Sequence, residues 1–145
     1  MIQYSMISAR DTYSIRQQIL RPNQALEACE YEGDHGEETF HIGAYDGEIL
    51  VSIASFYKEV MKGRDEENPY RLRGMATLPA YRGKGIGQQL IEKSEKVLKE
   101  RGCRLWWCNA RTSARPYYEK LGLIQSGEVF VIEPIGPHVI MFKEM

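Results

Sequence analysis

The sequence predicts an α/β protein of the α+β type, built on a mixed, mostly antiparallel sheet of about seven strands with helices on both faces. Three observations predict this fold class. Two apolar runs meet at Asp46-Gly47, a dipeptide typical of β-hairpins. Residues 70–109 have the pattern strand, helix, strand, which implies a parallel, right-handed crossover. Residues 127–133 and 138–143 indicate a final antiparallel pair.

Length and charge limit the class of protein. A chain of 145 residues suits one domain, residues 1–145, because a chain of that size buries a sizeable core. With 19 basic and 20 acidic residues the formal net charge is -1, so we expect no nucleic-acid partner. No run of about 18 apolar residues suggests a membrane span. We therefore expect a cytoplasmic protein with no membrane partner.

The first half of the chain predicts a strand, a helix and a hairpin. Residues 2–7 alternate in part and indicate the first strand, and Asp11 is expected to cap a helix that stops at Pro22. An acidic stretch with little periodicity follows, up to residue 38. Residues 39–46 then alternate, whereas residues 48–57 are apolar on both faces, which predicts a central strand.

The second half continues with two helices between strands. A strand is predicted over residues 70–78, and the helix after it, over 88–101, should stop at Gly102. Residues 105–108 form a short apolar strand. Thr112 or Ser113 is expected to cap the last helix, which Gly122 ends.

A glycine-rich turn, Arg82-Gly-Lys-Gly-Ile-Gly87, opens the long helix. Its alternating glycines allow positive φ and close approach of a ligand, and N–H groups at a helix N-terminus favour phosphate oxygens. Lys84 is followed by glycine rather than Ser or Thr, so the turn is not a Walker A loop. A dinucleotide fingerprint starting at Gly85 fails because its last position is Leu90.

The turn resembles the acetyl-CoA pyrophosphate loop of the GNAT superfamily of N-acetyltransferases, whose pattern Q/R-x-x-G-x-G/A is met by Arg82, Gly85 and Gly87. The segment from Ala114 to Leu123 is similar to the family's later A-x-x-F-Y-x-K-x-G-F helix. The resemblance implies the GNAT fold, acetyl-CoA as co-substrate and direct attack of a primary amine of a small molecule on the thioester. It also places the acidic stretch before residue 39 on the acceptor side, which hints at a cationic acceptor.

The resemblance also implies roles for individual residues. Tyr118 stands at the position of the phenol that protonates the departing CoA thiolate, and its ordinary pKa near 10 keeps it protonated. The backbone before the loop would hold the pantetheine arm and donate an N–H to the thioester carbonyl. The implied cofactor-binding residues are Met75, Ala76, Thr77, Arg82, Gly83, Lys84, Gly85, Ile86, Gly87, Gln88 and Asn109.

The chain departs from the family pattern at Arg111, where an asparagine that contacts the cofactor is common. Asn109, placed at the predicted end of the strand, either bonds the pantetheine amide or only ends the strand. The general base is not identified, and the candidates are Glu59, His41 and His138.

Other chemistries have less support. Cys108 lacks a paired base for a covalent acetyl intermediate. Cys29, Cys103 and Cys108, an odd number, argue against a disulfide framework, and with the histidines they do not give the spacing of a metal site. Two alternatives stay open, a non-catalytic acyl-CoA-binding or sensing module and a generic nucleotide-phosphate binder. The sequence leaves the oligomeric state open, with a homodimer among the possible forms.

Overall fold

The computed structural model describes all 145 residues, Met1–Met145. Each predicted strand and helix is present. The strands are β1 (Ile2–Ile7), β2 (Phe40–Asp46), β3 (Ile49–Lys58), β4 (Tyr70–Thr77), β5 (Leu105–Arg111), β6 (Ile124–Ile132) and β7 (Gly136–Glu144). The α-helices are α1 (Ala9–Ile15), α2 (Ile86–Glu100) and α3 (Arg115–Lys120). A π-helical turn (Arg16–Leu20) extends α1, and short 3-10 helices cover Leu26–Cys29, Pro79–Tyr81 and Thr112–Ala114.

The strands form one seven-stranded sheet in the order β1-β2-β3-β4-β5-β7-β6. Strands β4 and β5 run parallel, with Tyr70 opposite Trp106, which confirms the predicted crossover through α2. The pairs β1/β2, β2/β3, β5/β7 and β6/β7 are antiparallel, which confirms the mixed, mostly antiparallel sheet. No helix is long and apolar enough to cross a membrane.

Contacts divide the chain into two compact units, and the single-domain expectation stays a prediction. The first unit comprises residues 1–58 and 72–97, and its buried cluster contains Ile15, Ile53 and Ala76. The second unit comprises residues 59–71 and 98–145. Its cluster contains Met61, Leu105, Trp107 and Phe142. Each unit thus has an apolar core of its own, drawn from strands and the segments beside them.

The N-terminus of α1 differs from the prediction. Ser8, not Asp11, is the capping residue, and its Oγ accepts a hydrogen bond from the Asp11 N–H at 3.2 Å. Asp11 lies three residues later, where its carboxylate accepts from the Ser8 N–H at 3.0 Å. The two residues form a capping box, which satisfies two backbone donors that the helix leaves unpaired.

The hairpin between β2 and β3 is confirmed, but its turn is displaced by one residue. Asp46 pairs with Ile49, so the two turn residues are Gly47 and Glu48. Gly47 has φ 61°, which suits the first position of a tight hairpin turn that needs a left-handed residue. A register shift opposite Ala44 and Tyr45 leaves Val51 of β3 as an extra residue, and this irregularity is not visible as a sequence pattern.

The helix α3 begins without a side-chain cap. Ala114 is its N-cap residue, whereas Thr112 and the predicted alternative Ser113 belong to the 3-10 turn before it. Pro116 lies in the first turn of α3, as expected, because a residue there needs no N–H partner. Gly122 has φ 98°, which agrees with its predicted role in ending the helix.

Candidate active site

The loop between β4 and α2 has two glycines that require left-handed backbone. Gly83 has φ 74° and Gly85 has φ 76°. A Cβ added at either glycine would meet no other atom within 4 Å, so the space in front of this backbone is open. The prediction of positive φ was wrong for Gly87, because α2 starts at Ile86 rather than Gln88 and includes Gly87 in its first turn.

The N-terminus of α2 faces this loop with unpaired donors. The carbonyl of Gly85 accepts the N–H of Gln89 at 3.0 Å, so residues 86–88 have no partner for their N–H groups within the helix. The exposed side chains of Arg82 and Lys84 add positive charge beside these donors. Open backbone, free N–H groups and exposed cations together suit the oxygens of a pyrophosphate.

Hydrogen bonds hold both ends of this loop in place. The Arg82 Nε donates to the carbonyl of Thr77 at 3.0 Å, and the Tyr81 hydroxyl donates to Asp46 at 2.6 Å. On the strand side, the Ser52 Oγ donates to the carbonyl of Ala76 at 3.2 Å. The end of β4 and the short helix after it are therefore anchored to the β2–β3 hairpin.

Gly74 gives β4 an irregularity that the sequence analysis did not identify. Its φ is 68°, and a Cβ there would lie 3.1 Å from the Tyr31 ring and 3.4 Å from the Arg16 Nε. A side chain at this position would be strained by the backbone and crowded by its neighbours. A lone glycine inside a strand pattern is a known sign of close backbone approach, so this feature could have been found.

A buried ion pair lies next to Gly74, and it was also missed. The Arg16 guanidinium donates to both carboxylate oxygens of Asp34, at 2.7 and 3.1 Å, and both side chains are 0% exposed. Arg16 also donates to the Ser55 hydroxyl at 2.9 Å and the Tyr57 hydroxyl at 3.1 Å. The Tyr57 hydroxyl in turn donates to Asp34. Despite the desolvation that opposes it, hydrogen bonding holds the pKa of Asp34 below its ordinary value.

His41, a candidate general base, belongs to this network. Its Nδ1 contacts the Ser55 hydroxyl at 2.6 Å, and its Nε2 contacts the Asp34 carbonyl at 3.0 Å. The residue is 5% exposed, and burial lowers the pKa of His41 below its usual value. Because both ring nitrogens are engaged inside the protein, the geometry favours a structural role.

The other two base candidates have different surroundings. His138 is also 5% exposed, and its Nδ1 lies 2.8 Å from the Gly136 carbonyl. Glu59 is partly exposed and pairs with Arg71 at 3.2 Å. Neither contact singles out a base, so its identity stays open.

Tyr118 is half-buried on α3, beside Tyr117, with ring centroids 5.3 Å apart. Burial raises the pKa of Tyr118, and the neighbouring Cys108 and Tyr117 raise it further. The phenol is therefore protonated at neutral pH. Cys108 is 3% exposed, and burial raises the pKa of its thiol to about 12. A Cys108 thiolate is thus disfavoured at neutral pH, which argues against a covalent acetyl intermediate.

Asn109 lies inside β5 rather than at its end, because the strand continues to Arg111. Asn109 is half-buried and pairs with Ile140 of β7, while Arg111 is exposed and pairs with His138. The interpretation of Asn109 as a strand-terminus residue was therefore wrong. The structure shows no group of three or more His, Cys, Asp or Glu side chains that could hold a metal ion.

Comparison with known proteins decides the family. The model of the acetyltransferase (GNAT) family matches residues 6–123, which include the glycine-rich loop and α3. The chain belongs to the GNAT family. This confirms the resemblance, and with it an acyltransferase activity in a family that uses acetyl-CoA as co-substrate.

Relatives of this GNAT protein agree with that assignment. It is 46% identical to the uncharacterized N-acetyltransferase YitI of Bacillus subtilis over 145 residues, covering 100% of this chain and 97% of the relative. Among solved structures, an aminoglycoside 6'-N-acetyltransferase complexed with coenzyme A matches with TM-score 0.79 and 17% identity, covering 98% and 96% of the two chains. The ribosomal-protein-S18-alanine N-acetyltransferase of Escherichia coli matches with TM-score 0.78 and 19% identity, covering 99% and 94%. At these identities the structural matches show the GNAT fold alone.

Proposed function

We propose that this GNAT protein transfers an acetyl group from acetyl-CoA to a primary amine of a small molecule, by direct attack of the amine on the thioester. The observation that carries the proposal is the loop before α2, with Gly83 and Gly85 in left-handed backbone and nothing in front of either. Residues Arg82 to Gln88 would bind the pyrophosphate through backbone N–H groups and two cationic side chains. When bound, acetyl-CoA supplies an activated acetyl group and a thiolate leaving group.

The backbone of Met75, Ala76 and Thr77 would bind the pantetheine arm and donate an N–H to the thioester carbonyl. A donor held in place before the reaction stabilises the developing oxyanion without reorganisation. The bond from Ser52 to the Ala76 carbonyl and the bond from Arg82 to the Thr77 carbonyl support this role, because both restrict the strand end. Asn109 would add a side-chain contact to the pantetheine amide.

Tyr118 would act as the general acid, giving its hydroxyl proton to the departing thiolate. The phenol is protonated through the neutral range, as a proton donor must be, and this protonation supports the proposal. The acceptor nitrogen must be neutral to attack, and its proton leaves through a base or through water. Direct attack is also favoured over a covalent route by the protonated, buried Cys108 thiol.

The proposal is tested by titrating acetyl-CoA into the protein in a calorimeter and then measuring thiol release with polyamines, aminoglycosides, amino acids and peptides. Saturable binding followed by acceptor-dependent thiol release is expected. Binding without thiol release for any acceptor would favour the non-catalytic sensing module instead. No binding of acetyl-CoA, or binding of ATP in its place, would overturn the proposal.

A further inference from the structure

We propose that the acceptor carries an anionic group, a carboxylate or a phosphate, in addition to its amine, and that Arg73 and Arg21 bind this group beside Tyr31. The inference rests on the proposed function and assigns its substrate class. All the residues that carry it lie in the first compact unit.

Three guanidinium groups surround the ring of Tyr31. The Cζ atoms of Arg16, Arg73 and Arg21 lie 4.0, 4.3 and 5.1 Å from the ring centroid. Tyr31 itself is 7% exposed, so the ring gives these cations a fixed, largely buried platform. Like charges gathered on one ring repel one another, and an anion bound among them would relieve that repulsion.

The charges of the three arginines are not equally available. Arg16 is neutralised by Asp34 in the buried pair. Arg73 and Arg21 take part in none of the ion pairs of the structure. The Arg21 side chain donates a hydrogen bond to a neutral partner, the Gln24 Oε1, at 3.3 Å. Both are half-buried, which strengthens their attraction for an anion relative to a fully exposed arginine.

A donor without a partner lies at the same place. The Arg16 Nε is buried and has no hydrogen-bond partner, although the rest of its guanidinium is fully bonded. It lies 3.4 Å from the Cβ position of Gly74, the residue after Arg73. An unsatisfied buried donor is costly, and it adds to the positive potential on this side of β4.

The position of Arg73 matches the proposed reaction. It precedes Met75 by two residues, so the two are about 7 Å apart along the strand. An amine directed at the thioester beside Met75 and an anionic group near Arg73 would thus belong to one compact molecule, such as an amino acid or an aminoalkyl phosphate.

The acidic stretch before residue 39 is neutralised in part within the chain. Asp34 forms an ion pair with Arg16, and Glu30 pairs with His35 at 2.8 Å. Two of its carboxylates are therefore already matched within the chain, whereas Arg73 and Arg21 are not. The unpaired guanidinium groups of Arg73 and Arg21 at the Tyr31 ring favour an anionic group on the acceptor.

The test uses two pairs of amines that differ only in the anionic group, O-phosphoethanolamine with ethanolamine and L-lysine with cadaverine. Each is titrated by calorimetry into protein saturated with CoA, whose own binding is measured first. We expect the anionic member of one pair to bind at least tenfold more tightly than its counterpart. Preference within the first pair identifies a phosphate, and preference within the second identifies a carboxylate.

Substitutions locate the effect. Arg73→Gln should remove most of the preference for the anionic amine and leave CoA affinity unchanged, and Arg73→Lys should retain part of it. Lys93→Gln is the matched control, because Lys93 also lies over a tyrosine ring, 5.9 Å from the centroid of Tyr4, and should change nothing. Equal affinities within both pairs, or a preference that Arg73→Gln leaves intact, would overturn this inference, whereas CoA binding with acceptor-dependent thiol release would still uphold the proposed function. Absence of CoA binding would overturn the proposed function, and this inference with it.

Discussion

At the scale of single residues, Tyr118 carries the chemistry of the proposed reaction. Tyr118→Phe removes only the hydroxyl, so the leaving thiolate loses its proton donor while the ring still packs against Tyr117. We expect kcat to fall by about tenfold or more, with little change in acetyl-CoA affinity. Steady-state kinetics and calorimetry measure the two effects separately.

Tyr117→Phe is the matched control for Tyr118→Phe. Tyr117 is the adjacent phenol, 41% exposed, and its loss should leave turnover near the wild-type value. Equal rates for wild type and Tyr118→Phe would exclude Tyr118 as the acid.

His41 predicts a pH dependence of stability. Burial lowers the pKa of His41 in the folded protein below its ordinary value of 6.5, so the unfolded chain takes up a proton more readily as the pH falls. The contribution of neutral His41 to the free energy of unfolding is fully present above pH 6.5 and is lost progressively below it. Urea unfolding between pH 7.5 and 5.5 should show this loss, and His41→Gln should flatten the dependence. An unaltered slope in His41→Gln would contradict the assignment.

At the scale of elements, a single substitution can test the glycine-rich loop between β4 and α2. Gly85→Val places a β-branched side chain where φ is 76°, in the space through which a pyrophosphate would approach. Acetyl-CoA affinity should fall at least tenfold, or about 1.4 kcal/mol or more, as measured by calorimetry.

Gly63→Val separates loss of binding from backbone strain. Gly63 has φ 84° and open space around it, but it lies in the loop between β3 and β4. We expect Gly63→Val to lose about as much stability as Gly85→Val, because both place a side chain at positive φ, but to keep normal acetyl-CoA affinity. If Gly85→Val bound acetyl-CoA as tightly as Gly63→Val, the loop would not be the pyrophosphate site.

The same elements show which features the sequence could predict. The glycine turn, the crossover and the Asp46-Gly47 hairpin depend on residues close together in the chain, so short patterns identify them. The ion pair of Arg16 and Asp34 joins residues 18 positions apart, and its bonds to Ser55 and Tyr57 span 39 and 41. No local pattern encodes such contacts. The exact turn residues and the length of β5 also differed, because strand pairing sets the ends of strands. The Ser8–Asp11 capping box of α1, by contrast, is a local pattern that the sequence analysis missed.

At the scale of the molecule, the buried ion pair should govern the stability of the first unit. Asp34→Ala leaves the Arg16 charge buried without its partner, and the expected loss is about 3–5 kcal/mol in the free energy of unfolding. Urea denaturation followed by circular dichroism measures it. Glu30→Ala breaks an ion pair whose side chains are both more than half exposed, and should cost less than about 1 kcal/mol. Equal losses for the two variants would show that burial does not set the value of the Arg16–Asp34 pair.

Because all three cysteines are buried, the reactivity of their thiols reports whether the protein is folded. Cys29, Cys103 and Cys108 are free and at most 3% exposed, so a colour-forming thiol reagent should find no reactive group in the native protein. Any immediate colour in a turnover assay would then come from released CoA. A slow increase in colour in the absence of an acceptor would instead measure the unfolding that exposes the three cysteine thiols.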